Sequence, residues 1–164
     1  MNQQITDILD ASEGRYLTKS EQTQLREYVG QVSARLLAME ELQVKESAII
    51  EHTMRQILNA YPDFPQQHLD ARGKGVRDLA MVLRYIAQAT LRNDPQWLDS
   101  NLLVWLSTIL AGLGFTPGFI EDTYKTMERA MASELTPASA ELVRPFIQQC
   151  ARTLSSHPAG TSAE

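Results

Sequence analysis

From Val76 to Thr90 the apolar residues return at the pitch of an α-helix. Val76, Leu79, Ala80, Leu83, Ile86, Ala87 and Thr90 fall on one stripe of a 3.6-residue period. No segment shows a convincing run of apolar and polar residues in strict alternation, the pattern of a half-buried strand. The chain is therefore expected to be all-α, with this amphipathic segment as its central helix.

The remaining helices follow from their stops and starts. Ile5, Ile8 and Leu9 mark a short first helix that Glu13-Gly14 closes. Thr18 or Ser20 caps a long stretch in which Leu25, Tyr28, Val29, Val32 and Leu36 share a face, and the polar Gln43-Val44-Lys45 region predicts a break near residue 44. The next helix carries Ile50, Met54, Ile57, Leu58 and Tyr61 and stops at Pro62, because proline cannot donate to the helical ladder and biases the preceding residue out of it. Residues 62–74 read as an irregular connection. Asn93-Asp94-Pro95 ends the central helix and starts a new turn. Leu102 to Leu113 is apolar nearly all round and is expected to be the most buried segment. Gly112, Gly114 and Pro117-Gly118 punctuate a turn, and Ile120, Tyr124, Met127 and Met131 mark the following helix. Thr136-Pro137 opens the last one, whose core face is Leu142, Phe146, Ile147, Cys150 and Leu154 and which Pro145 is expected to kink. Helices of uneven length without heptads fit a globin-like packing better than a four-helix bundle. Residues 1–155 read as one domain and 156–164 as a disordered tail.

Composition narrows the function classes. The net charge of −5 is spread along the chain, which argues against a sequence-independent grip on nucleic acid. No apolar run approaches the length of a membrane span, and Met1-Asn2-Gln3-Gln4 has no signal-peptide pattern, so a cytoplasmic protein of bacterial type is expected. The single cysteine, Cys150, excludes an intramolecular disulfide and a cysteine-based zinc cluster. No metal-spaced ligand pair, phosphate loop or catalytic triad is present. Of the three histidines, His52 sits among polar neighbours, His157 lies in the tail and His68 lies in the connection, so haem ligation is not expected. One region stands apart. His68, Arg72, Lys74, Arg77 and Arg84 gather basic groups in an acidic chain, with the adjacent Arg77-Asp78 pair beside Gly73 and Gly75. On motif content this is either a ligand site or a loop leading into a salt-bridged helix.

The sequence resembles the phycobiliprotein superfamily, the allophycocyanin and phycocyanin type of globin-like antenna protein. Val76-Arg77-Asp78-Leu79, Leu83-Arg84-Tyr85, Asn93-Asp94-Pro95 and Leu98-Asp99 carry the resemblance. Gly14-Arg15-Tyr16-Leu17, Leu113-Gly114-Phe115, Pro117-Gly118 and Cys150 after Phe146-Ile147-Gln148-Gln149 add to it, over about residues 3–155. It implies an all-α globin-like phycobiliprotein fold with an N-terminal helical extension used for dimerisation, in a cyanobacterial, phycobilisome-linked setting. It also implies that Asp78 accepts from the inner pyrrole N–H groups of a linear tetrapyrrole and that Arg77 pairs with a propionate, roles that a carboxylate and a guanidinium suit chemically. Arg84 is implied to meet an acid of the partner's N-terminal helices, for which Asp10 or Glu13 would serve.

The departures from the family pattern matter as much. The chromophore-attaching cysteine falls at Gly75, so no thioether can form there. Tyrosines that line the pigment are replaced by Met81 and Val82, and one at the dimer contact by Gln88. The chain is thus most similar to divergent relatives associated with bilin biosynthesis. The expected function is non-covalent binding of biliverdin or phycocyanobilin, for carrying, biosynthesis support or sensing. The expected binding residues are His68, Arg72, Lys74, Gly75, Arg77, Asp78, Met81 and Val82, in a homodimer or a heterodimer with a paralogue. The alternative is a pigment-free interaction or assembly protein on the same fold. An enzyme acting on bilins ranks last, because no catalytic constellation accompanies the site.

Overall fold

The computed structural model describes residues 2–64 and 71–156, and among them every regular element is helical. In chain order these are α1 (Gln3–Ala11), α2 (Lys19–Gly30), α3 (Val32–Ala60), α4 (Ala71–Arg92), the short α5 (Pro95–Leu98), a π-helical turn (Asp99–Leu103), α6 (Val104–Gly112), α7 (Pro117–Glu134) and α8 (Pro137–Ser155). The fold is all-α and globin-like. No described helix is long and apolar enough to cross a membrane.

Local chemistry explains the helix starts. Thr18 forms a reciprocal capping box with Glu21, and Arg15 holds the same carboxylate with two bonds of 2.9 and 2.8 Å. Asp94, Thr116 and Thr136 each cap a helix whose first residue is proline, accepting from the N–H of Trp97, Phe119 and Ser139. Thr136-Pro137 was legible as such a start. Thr116-Pro117 has the same form, but the neighbouring glycines disguise it as a turn. Asn93 and Gly114 have positive φ, 51° and 74°, and each ends the helix before it.

The core is built where α3 packs against α4, α7 and α8. Leu42 and Ile49 of α3, Leu83 and Ile86 of α4, Met127 of α7 and Ile147 of α8 are fully buried there. The extension is pinned to the corner after α4. Asn2 Nδ2 donates to Asn93 O, the Gln3 N–H donates to Asp94 Oδ2, and the Tyr28 hydroxyl donates to Arg92 O, at 2.9, 3.3 and 3.3 Å. Buried Arg35 holds the α2–α3 corner, donating from Nη2 to Tyr28 O at 2.8 Å with its guanidinium over the Tyr28 ring.

Four expectations need correction. The break near residue 44 does not exist, because Gln43, Val44 and Lys45 are simply the outer face of α3 while Leu42 and Ile49 keep its inner stripe continuous. The interruption lies earlier, at Gly30-Gln31. The shared face of Val29, Val32 and Leu36 remains exposed, since α2 buries none of its residues and the start of α3 leaves Val32 and Leu36 uncovered. The connection expected over 62–74 is partly helical, with α4 already under way at Ala71, and Val76 at the outer end of its stripe stays exposed. Finally, the segment 102–113 is not the most buried. Leu102, Leu103 and Leu106 face inward, whereas Val104 is 59% and Ile109 48% exposed. An apolar composition on all sides fixes that a helix is adhesive, not that its own chain covers it.

The last helix runs on through Pro145 to Ser155, and the tail expected to be disordered lies, from His157 on, outside the described residues. Cys150 on this helix is fully buried, and burial pushes its thiol up to about 12. It should resist a thiol-specific reagent at pH 8 in the folded protein and react at once in denaturant. Ionisation also sets a pH trend. The folded state keeps this proton and the unfolded chain releases it, so stability is whole below the ordinary thiol value of 9.0 and is lost as pH rises towards about 12. Denaturant midpoints that stay flat over that range, or rapid thiol labelling of the native protein, would show an accessible sulfur.

Candidate functional site

The first turns of α4 divide their side chains between two clefts. Lys74, Gly75 and Asp78 lie on neighbouring positions of one side, as i, i+1 and i+4 spacing requires. They border a half-open cavity of about 170 Å³ between α3, α4, α6 and α7. Met54 and Ile57 supply its α3 wall, Leu110 and Leu113 the α6 wall, and Ile120, Thr123 and Tyr124 the α7 wall. Phe64, Phe115 and Phe119 close the remaining side. The lining is thus mostly apolar, with one carboxylate, one ammonium and two hydroxyls, the make-up of sites that hold a largely apolar ligand by a few polar anchors.

Asp78 is held loosely. Among the described residues its ion pair is to Arg77, Nε to Oδ1 at 3.8 Å, between side chains that are 74% and 56% exposed. A long, solvated contact of this kind contributes roughly 0–1 kcal/mol, so the carboxylate stays available to another donor. Tyr124 behind it is buried. Burial above all, then the nearby Cys150 and the charge of Asp78, holds its phenol protonated well above the ordinary tyrosine range. It therefore faces the cavity as a neutral hydroxyl. Gly75 packs against the α3 wall. A Cβ built there would lie 3.1 Å from both Sδ and Cε of Met54. The methionine terminus occupies the room that a side chain at 75 would take, and only its flexible end would have to give.

The sequence-derived site is brought together in part. Lys74, Gly75 and Asp78 converge on the cavity. Arg77 does not. It borders a separate cleft between α3 and α4 together with Glu46, Glu51 and Arg84, because one step along a helix turns a side chain by about 100°. Arg72 is exposed and lines no wall of the cavity. Met81 and Val82 are also misplaced by the resemblance. Met81 packs half-buried on the core and Val82 is wholly inside it. His68 lies outside the described residues. Arg84, expected to meet an acid of a partner, is engaged within the chain by Glu46, with bonds of 2.9 and 2.6 Å from Nε and Nη2. Asp10 and Glu13 are exposed at the end of α1.

Three phenylalanines were missed. Phe64, Phe115 and Phe119 form a mutual cluster with ring centroids 6.0, 4.9 and 5.3 Å apart, and Tyr61 meets Phe119 edge-on at 5.0 Å. The only advance signal was the i, i+4 spacing of Phe115 and Phe119 across a helix start. Among the described residues no cluster of acidic, histidine or cysteine side chains is placed to hold a metal ion.

With this geometry in hand, comparison with known proteins gives a consistent answer. The family profile described as "Phycobilisome protein" matches residues 8–154. The allophycocyanin beta chain of Anabaena cylindrica is similar to this chain at 25% identity over 162 residues, covering 94% of this chain and 100% of that protein. The profile spans α2 to α8 with the cavity and Asp78 inside it, and the chain belongs to the phycobilisome protein family.

Proposed function

We propose that this protein binds a linear tetrapyrrole, biliverdin or phycocyanobilin, without a covalent bond, in the cavity beside Asp78. The observation that carries the reading is the pairing of a loosely held carboxylate with an apolar, partly aromatic cavity at the position where Gly75 excludes a thioether. In it, the Asp78 carboxylate accepts from pyrrole N–H groups, the Lys74 ammonium pairs with a propionate, and the phenyl rings contact the conjugated plane. The bilin supplies the conjugated chromophore; the protein binds and orients it and performs no catalysis on it. The same reading covers a cytoplasmic dimer, with itself or a paralogue, through α1 and α2. The exposed Val29, Val32 and Leu36 support that surface, with Arg84 shared between Glu46 and a partner's Asp10 or Glu13.

One observation favours the alternative, a pigment-free assembly protein on this fold. A half-open cleft of about 170 Å³ is below the ~300–1,000 Å³ of pockets that enclose drug-sized ligands, and phenyl rings and the Met54 terminus fill space a pigment would need. Titration with biliverdin and with phycocyanobilin, followed by absorbance, separates the two. The bilin reading expects a saturable red shift at one bilin per chain. A spectrum identical to that of free bilin at every protein concentration would remove the bilin reading and leave the assembly reading standing.

A further inference from the structure

Tyr124 is the one buried polar side chain among the described residues that line the α4 cavity. It is 6% exposed and belongs to the core cluster, yet it also borders the cavity. The neighbouring hydroxyl, that of Thr123, is engaged within its own helix and donates to Phe119 O at 2.7 Å. Among the described residues no hydrogen bond engages the Tyr124 hydroxyl. Nor is it one of the sealed, unpaired side-chain atoms, which belong to Arg35 and Arg92. Its oxygen therefore opens on the cavity. Buried polar groups nearly always have a partner, and the space left for one here is the cavity itself.

We infer that Tyr124 and Asp78 together read the edge of a terminal lactam ring, with Tyr124 Oη donating to the lactam carbonyl and Asp78 accepting from its N–H. This rests on the bilin-binding reading and deepens it, by naming which end of the ligand enters. The two groups are complementary. Burial keeps the Tyr124 phenol protonated, so it can donate, whereas an ionised carboxylate can only accept. They are also neighbours, since the charge of Asp78 weighs on the phenol. A donor beside an acceptor fits an edge that presents C=O and N–H side by side. In a linear tetrapyrrole the two end rings carry that edge, and the inner rings have no carbonyl. The second oxygen of Asp78 leaves it free to take an inner pyrrole N–H as well. Depth sets the direction of entry. Asp78 is 56% exposed at the mouth and Tyr124 lies deep, so an end ring goes in first. The inner rings, which bear the propionates, then stay near the mouth beside the exposed Lys74.

The test pairs one variant with one altered ligand. Tyr124→Phe removes a single oxygen and keeps the ring in the core. Biliverdin O-methylated at both terminal lactams has an ether in place of each carbonyl and has lost the lactam N–H. Absorbance titrations of wild type and variant with each bilin give four affinities, and circular dichroism checks the fold of the variant. Tyr124→Phe should bind biliverdin about tenfold more weakly than wild type, because the carbonyl is left without its donor. It should bind the O-methylated bilin within about twofold of wild type, since that ligand offers the hydroxyl no lactam carbonyl. A wild type that takes biliverdin and rejects the O-methylated bilin outright, with the variant weakened towards biliverdin, supports the inference as well. Unchanged biliverdin binding by Tyr124→Phe, equal weakening towards both bilins, or equal wild-type affinity for the two would overturn it. With Asp78→Asn still impaired, each of those results leaves the bilin reading standing. No binding of biliverdin by wild type would overturn both.

Discussion

Asp78→Asn should weaken biliverdin binding by about ten- to a hundredfold and reduce the red shift of whatever remains bound. The asparagine has the same shape, so the cavity is preserved and only the charge is lost. A hydrogen bond to a charged group contributes roughly 1.5–3 kcal/mol, and each ~1.4 kcal/mol is a factor of ten in affinity. The spectral change has the same origin, since a neutral amide no longer stabilises a protonated conjugated system. Arg77→Ala is the informative companion. Arg77 borders the other cleft and makes only a long, exposed contact to Asp78, so its loss should change affinity within about twofold. A loss at Arg77 as large as that at Asp78 would mean that the guanidinium reaches the ligand, as the family resemblance implies and as this geometry does not. An unchanged Asp78→Asn would remove the carboxylate from the site altogether.

The second large effect concerns stability. Ile86 is 0% exposed on α4, the helix that also carries Asp78. Ile86→Ala should cost about 2–5 kcal/mol, the transfer term plus the cavity left behind. That is a large part of the roughly 5–15 kcal/mol of a typical domain. At about 2–4 °C per kcal/mol for a chain of this size, the thermal midpoint should fall by on the order of 10 °C. Ile109→Ala removes the same atoms from an exposed site on α6 and should stay within about 0.5 kcal/mol. Calorimetric melts of both variants test the burial pattern directly. Equal losses would show that α6 is covered in solution by something other than its own chain.

Much of the fold was legible because it is written locally. The stripe on α4, the Thr136-Pro137 start and the stop at Pro62 are each decided by residues within a turn or two of one another. The misreadings have a common cause, which is that packing partners are not local. Gln43-Val44-Lys45 resembles a break until α3 is seen to need only one covered side, and α6 resembles a core helix until Val104 and Ile109 are seen to be exposed. The site divides in the same way. Lys74, Gly75 and Asp78 come from one helical turn and were found together, whereas Phe64 follows α3, Phe115 precedes α7 and Phe119 lies in its first turn, so the three meet only in space. Met81 and Val82 fail for a subtler reason. A resemblance carries position along a helix faithfully, but whether a side chain lines a cavity depends on which neighbours have been exchanged around it.

The π-helical turn at Asp99–Leu103 has a consequence for how such a surface can arise. A wide turn of this kind takes up one more residue than an α-turn, so it sets everything downstream back by the step of one residue, about 100°, relative to unbroken α winding. Removing Ser100 would be expected to restore ordinary winding and leave Val104, Trp105 and Ile109 facing as they do, because the lost residue and the lost wide turn cancel. A one-codon deletion here could thus be absorbed, whereas the same deletion inside α6 would turn every later side chain of that helix to a new face. For a lineage of related chains, this turn is a place where length can change while the surface beyond it is kept.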